Sequence, residues 1–136
     1  MNSDNLRRNI LVILLSCIYS FNALGEEYWY FYEDDEVANS YIDLNSIHRV
    51  GDVTSYKALI NFKQKKTLMH SSVTTYEVKC LTEQIRFIKS VSFSELLGKG
   101  KAIGAMTPEM LGQKDGFSRV AGDKLRKQVE IVCRKQ

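Results

Sequence analysis

The sequence predicts an α+β domain, an antiparallel β-sheet with one C-terminal helix packed on a face of it. Three observations predict this. Alternating runs recur between Tyr28 and Ser94, and a period of two marks strands. Two gaps between runs are only two residues long, Gly51-Asp52 and Thr82-Glu83, which is antiparallel hairpin spacing. Near the end, Leu125, Val129, Val132 and Cys133 fall at i, i+4, i+7 and i+8, one face of a helix.

The 136 residues suit one domain, expected over 26–136. Residues 1–25 read as a secretory signal peptide. Arg7 and Arg8 precede the aliphatic run Ile10 to Leu15, moderately apolar residues continue to Leu24, and Ala23-Leu24-Gly25 has the small-x-small exit. Ser16, Ser20 and Asn22 interrupt the stretch, which is short for a span of about 20 apolar residues. An N-terminal anchor helix is the competing reading. Leu14-Leu15-Ser16-Cys17 offers a second exit, resembling a lipobox in which Cys17 is lipidated and becomes the first residue. The apolar run continues past Cys17 through Ile18, Tyr19 and Phe21, so the flanks favour cleavage after Gly25.

Cleavage there removes Arg7, Arg8 and Asp4 from 19 basic and 16 acidic residues, leaving 17 and 15. A net charge of +2 makes no strong field for nucleic acid or anionic lipid, and export also argues against a nucleic-acid partner. Cys80 and Cys133 remain, and an even pair in an oxidising compartment reads as a disulfide. A metal site is the weaker reading, since neither cysteine has a Cys or His within four positions and His70 is ten away from Cys80. No cofactor is expected.

The five aromatics Tyr28 to Tyr32 form the first strand. Alternation places Trp29 and Phe31 on one face and Tyr28, Tyr30 and Tyr32 on the other. With Trp29 and Phe31 under the helix, the three tyrosines point outward as an aromatic ladder. That ladder is a candidate binding or dimer face, with ordinary cross-strand packing as the alternative. The acids Glu33 to Glu36 read as a solvated loop, because an EF-hand spaces its acids and needs a glycine between them.

Ser40 to Leu44 is a second strand, and Asn45 to Ile47 reads as one turn capped by Asp43. Ile47 to Val50 and Val53 to Phe62 flank Gly51-Asp52 as a hairpin. Tyr56, Ala58, Ile60 and Phe62 share one face of the second arm. Lys63, Lys65 and Lys66 lie in a basic loop, read either as a cationic binding surface or as lysines that discourage a sheet edge from pairing with other chains.

Ser72 to Leu81 and Gln84 to Ser94 form the next hairpin. Thr74, Tyr76, Val78 and Cys80 share one face of the first arm, and Ile85, Phe87, Val91 and Phe93 one face of the second. Gly98-Lys99-Gly100 reads as a turn, lacking the full phosphate-binding pattern. Ala102 to Met106 is a last strand, and Thr107 to Leu111 a short helical turn with Pro108 in its first position. Asp123 reads as the N-cap of the final helix, which places Cys133 on the buried stripe, facing Cys80.

The order of these motifs resembles the bacterial surface-adhesin protein E-like family. Trp29 lies in an opening strand; Tyr41-Ile42-Asp43 precedes Ser46-Ile47 and the Gly51 hairpin; Tyr76-Glu77-Val78-Lys79-Cys80 is followed six residues on by Arg86; a glycine-bearing loop and a cysteine-ended helix close the chain. The resemblance covers nearly all of 26–136. It implies a curved antiparallel sheet of about six strands, a C-terminal helix on the concave side, and a Cys80–Cys133 tether. It also implies export from a Gram-negative cell, to the periplasm or the outer-membrane surface, and host matrix proteins as partners.

No catalytic constellation is visible. His48 and His70 are the only histidines and no nucleophile in a strained turn accompanies them. The expected function is therefore non-enzymatic binding by an exported envelope protein. The alternative is a soluble periplasmic structural or assembly protein with no host ligand, able to act as a homodimer or with another envelope protein.

Overall fold

The computed structural model describes residues 25–66, 68–113 and 116–135. The cleavage signals and Cys17 lie outside the described residues, as do the side chains of Lys65 and Lys66. Six strands make a curled antiparallel half-barrel: β1 (Trp29–Asp34), β2 (Ala38–Val50), β3 (Val53–Lys66), β4 (Met69–Lys79), β5 (Gln84–Phe93) and β6 (Ala102–Met106). Their spatial order is their chain order. A two-residue strand, β7 (Ser118–Arg119), pairs with the start of β5, and helix α1 (Asp123–Arg134) follows. The α+β class, the antiparallel pairing and the closing helix are as expected.

Local chemistry accounts for the connections. Gly51 takes φ 63° between the paired residues Val50 and Val53, the backbone a two-residue hairpin loop requires. Asp35 closes the β1–β2 turn by accepting from the Val37 and Ala38 amides, each at 2.8 Å.

Bulges correct the expected faces. Asn45 to Ile47 is not a turn between strands but an irregularity inside the continuous β2, where the register against β3 shifts between Asp43 and His48. A second shift leaves Ile88 unpaired between Phe87, opposite Tyr76, and Lys89, opposite Thr75. The extra residue inverts the alternation. Val91 and Phe93 therefore face away from Ile85 and Phe87 rather than with them. The expected basic loop is also shorter, because β3 runs on through Lys66, which pairs with Met69.

One sheet face carries α1. Tyr32, Ile42, Tyr56, Ala58, Val78 and Ile85 pack with Val129 and Val132 of the helix, and a valine side chain buried in this way contributes about 1.5–3 kcal/mol. Asp123 is the first helical residue rather than the cap; Gly122, at φ 83°, stands in the cap position and its carbonyl accepts from the Arg126 amide. Cys80 sits just past β4 and is joined to Cys133 with 5.8 Å between Cα atoms.

The far face is covered by the β5–β6 connection. The Leu97 amide donates to Asn61 Oδ1 at 2.8 Å and the Gly98 amide to Ser71 Oγ at 3.0 Å. Leu59 is fully buried beneath this loop, beside Val73 and Phe93. The segment before α1 is stapled by Phe117, whose ring has Lys79 Nζ and the Arg86 guanidinium each 4.7 Å from its centroid. Arg86 is held in turn by Glu77, with Nε donating at 2.6 Å. Sequence periodicity gave no sign of β7, which is too short to have a period.

Candidate functional site

The aromatic run of β1 divides between the two faces, opposite to expectation. Tyr30 pairs with Ile42 of the helix face, whereas Phe31 pairs with Tyr41 of the far face. Phe31 and Tyr41 make an edge-to-face contact with centroids 5.5 Å apart, and Phe31 remains half exposed. The three tyrosines thus face the helix, and Trp29 and Phe31 do not.

Tyr32 leaves the ladder altogether. The register breaks between Phe31 and Glu33, and Tyr32, on the same face as Tyr30, lies in the core at 9% exposure. Tyr32 meets a buried amide: Gln128 Nε2 donates to its hydroxyl at 2.7 Å, while the Tyr56 hydroxyl donates to Gln128 Oε1 at 3.0 Å. Burial raises the pKa of Tyr32, partly offset by the Gln128 hydrogen bond. Burial also raises Tyr56 and Tyr76, whose rings stack at 5.6 Å. These are structural tyrosines.

Tyr28 and Tyr30 stay accessible, 59% and 45% exposed. With Leu44, Ile131, Arg134 and Lys135 they line an open cleft of about 420 Å³ where β1 meets the last turn of α1. Its floor is apolar and its rim cationic. Arg134 is 81% exposed in its side chain and stands 3.8 Å from Glu130, a surface pair of little strength.

Asp43 positions this end of β1. It is buried, and its Oδ1 accepts from the Tyr28 amide at 2.9 Å and the Asn45 amide at 3.0 Å. Ser46 completes the bulge by donating to the Asp43 carbonyl at 2.7 Å and accepting from the Lys57 amide at 2.8 Å. The aspartate is thus a local cap, as its place before Asn45 to Ile47 suggested, and one carboxylate oxygen ties the entry of β1 to the β2 bulge.

The opposite end of β1 is acidic and engaged. Lys124 Nζ donates to Asp35 Oδ2 at 2.7 Å and lies 3.8 Å from Glu33, which Lys127 also approaches at 3.8 Å. The Lys124 hydrogen bond, with the Ala38 and Val37 amides, holds the Asp35 carboxyl down at about 2. Lys63 pairs with Asp34 at 2.5 Å, so this lysine serves an intramolecular contact at the end of the sheet. Lys63 and the tyrosine cleft do not come together into one surface.

Among the described residues no group of three His, Cys, Asp or Glu is placed to hold a metal. His48 lies exposed near the Gly51 hairpin and His70 at the start of β4, on separate elements. The cleft was hidden from sequence reasoning because it depends on which face of β1 the helix covers and on where the helix ends. The one available signal was the spacing of Tyr28 and Tyr30 on the same strand face.

The fold resembles solved structures of Haemophilus influenzae protein E. Its selenomethionine form superposes with a TM-score of 0.59 at 17% identity, covering 76% of this chain and 85% of that one. Crystal form II gives 0.55 at 16% identity, covering 81% and 97%. Protein E from a non-typeable strain gives 0.57 at 17% identity, covering 76% and 75%. No curated protein sequence matches this chain. The family model described as surface-adhesin protein E matches residues 29–134, and the chain therefore belongs to the surface-adhesin protein E family.

Proposed function

We propose that this protein is exported by a Gram-negative cell, through a signal peptide in 1–25, and acts without catalysis by binding an external protein of the host matrix through the Tyr28–Tyr30 cleft. The observation that carries the reading is the exposed tyrosine pair over an apolar floor with a cationic rim. Tyrosine offers large contact area at low entropic cost, and such residues anchor recognition surfaces. Membership of an adhesin family supports the external partner. Of the basic residues Lys63, Lys65 and Lys66, Lys63 is engaged by Asp34, and the reading does not rest on them.

The test has two parts. Protease treatment of intact cells removes a surface adhesin and spares a periplasmic protein. Purified 26–136 is then assayed on immobilised matrix glycoproteins, where Tyr30→Ala is expected to weaken binding about tenfold with an unchanged circular dichroism spectrum. Full resistance to shaving, or equal binding by the variant, refutes the reading. The second reading, an envelope assembly protein with no host ligand, draws on β6. Its residues Ala102 to Met106 are all exposed and uncharged at one edge of the sheet, a surface suited to pairing with another chain.

A further inference from the structure

We propose that the free edge of β1 takes an extended peptide in which glutamate alternates with apolar residues, added to the sheet beside Trp29 to Phe31. The inference rests on the binding function proposed above and names the chemistry of the partner. β1 is terminal in the sheet, so every second backbone N–H and C=O along it faces away from β2. A strand laid there gains main-chain hydrogen bonds, and its side chains alternate between the two faces.

The two faces differ in chemistry. On the helix side an added side chain meets Tyr28, Tyr30 and Ile131, with Arg134 and Lys135 beyond. A glutamate suits this place, its methylenes on the rings and its carboxylate at the cations, Arg134 providing a planar fork. On the far side the next side chain meets the exposed Phe31 beside Tyr41, where an aliphatic group fits. The acids at the other end of β1 offer little repulsion, because Lys63, Lys124 and Lys127 engage them. The bulge after Phe31 ends the regular edge and limits pairing to a short segment.

The probe is a fluorescein-labelled octapeptide of alternating Glu and Val, titrated against the mature chain by fluorescence anisotropy. Two further octapeptides carry Lys for every Glu, or Pro at the two central positions. The expected result is saturable binding of the Glu peptide that weakens with added salt and falls at least tenfold in Arg134→Glu and in Tyr30→Ala. Lys89→Glu, an exposed charge reversal on β5, serves as the control and leaves binding unchanged. The Lys peptide does not bind, and the Pro peptide, unable to complete the backbone ladder, binds at least fivefold more weakly. Equal binding of the Lys peptide, no binding of the Glu peptide, or full binding by Arg134→Glu overturns the proposal. A Pro peptide as tight as the Glu peptide overturns the edge pairing. Loss of matrix binding in Tyr30→Ala without any Glu-peptide binding sinks the peptide chemistry and leaves the binding function. Glu-peptide binding with matrix binding unaffected by Tyr30→Ala sinks the matrix function and leaves the peptide site.

Discussion

Gln128 of α1 and Tyr56 of β3 are 72 residues apart in sequence and joined by a buried hydrogen bond of 3.0 Å. The same amide donates to Tyr32 of β1. One side chain thus ties the helix to two strands and sets its position along the sheet, because sliding the helix by a turn would strand two buried hydroxyls.

Gln128→Leu is expected to destabilise the domain by about 2–4 kcal/mol, since each buried hydroxyl left without a partner costs roughly 1–3 kcal/mol. Tyr56→Phe, which removes one hydroxyl and leaves the ring in place, costs about 1 kcal/mol. Urea unfolding followed by tryptophan fluorescence measures both. Equal stability of Gln128→Leu and the parent would mean that the amide does not govern helix docking.

Cys133→Ser removes a link that closes a separation of 53 residues. The chain-entropy model gives a loss of about 4 kcal/mol, read as a lowered melting temperature in calorimetry. The parent protein in reductant should fall to the same temperature, and a parent insensitive to reductant would contradict the link.

Part of the acid sensitivity should trace to Asp35. Its folded-state pKa of about 2 lies below its ordinary 3.8, so its stabilising effect is complete above pH 4 and is lost as pH falls toward 2. Asp35→Asn, which keeps an acceptor for the turn amides and gives up the charge on Lys124, should flatten stability against pH between 4 and 2. An unchanged slope over that window would place the acid response elsewhere.

Gly98→Ala is expected to destabilise by about 1–3 kcal/mol through strained backbone and a forced contact. The residue has φ +68°, and an added Cβ would stand 2.9 Å from the Val73 Cγ2 methyl. Hydrogen exchange should show faster opening of the Leu97 and Gly98 amides, which donate to Asn61 and Ser71. Exchange unchanged at these two amides would show that the loop tolerates the methyl.

The main strands, the two hairpins at Gly51-Asp52 and Thr82-Glu83, and the helix were legible because each has a local signature: alternation, a two-residue turn, apolar spacing of 3.6. The disulfide was legible from compartment and parity. What failed was what local alternation cannot carry: which face of a strand is covered, and the effect of a single inserted residue. The alternation of β1 held, with Tyr28, Tyr30 and Tyr32 on one face, but alternation does not say which face the helix covers, so their outward assignment inverted and Tyr32 went to the core. Val91 and Phe93 failed because the residue inserted at Ile88 reverses the alternation of β5. The cleft was illegible as well, since Arg134 and Lys135 read as ordinary residues of a helix end until the fold sets them beside β1.

The order of the strands also sets a schedule. Each strand from β2 to β6 pairs with its predecessor, so a new strand finds its partner already made and the sheet can zip forward from its N-terminal end. Cys80 arrives with the fourth strand and waits for Cys133, 53 residues later. Within 26–136 these are the only cysteines, so oxidation there has one intramolecular product and no shuffling enzyme is needed to sort it. Until that last helix lands, Tyr56, Val78 and Ile85 stand open to solvent, and the time taken to add α1 sets how long the chain is exposed to aggregation.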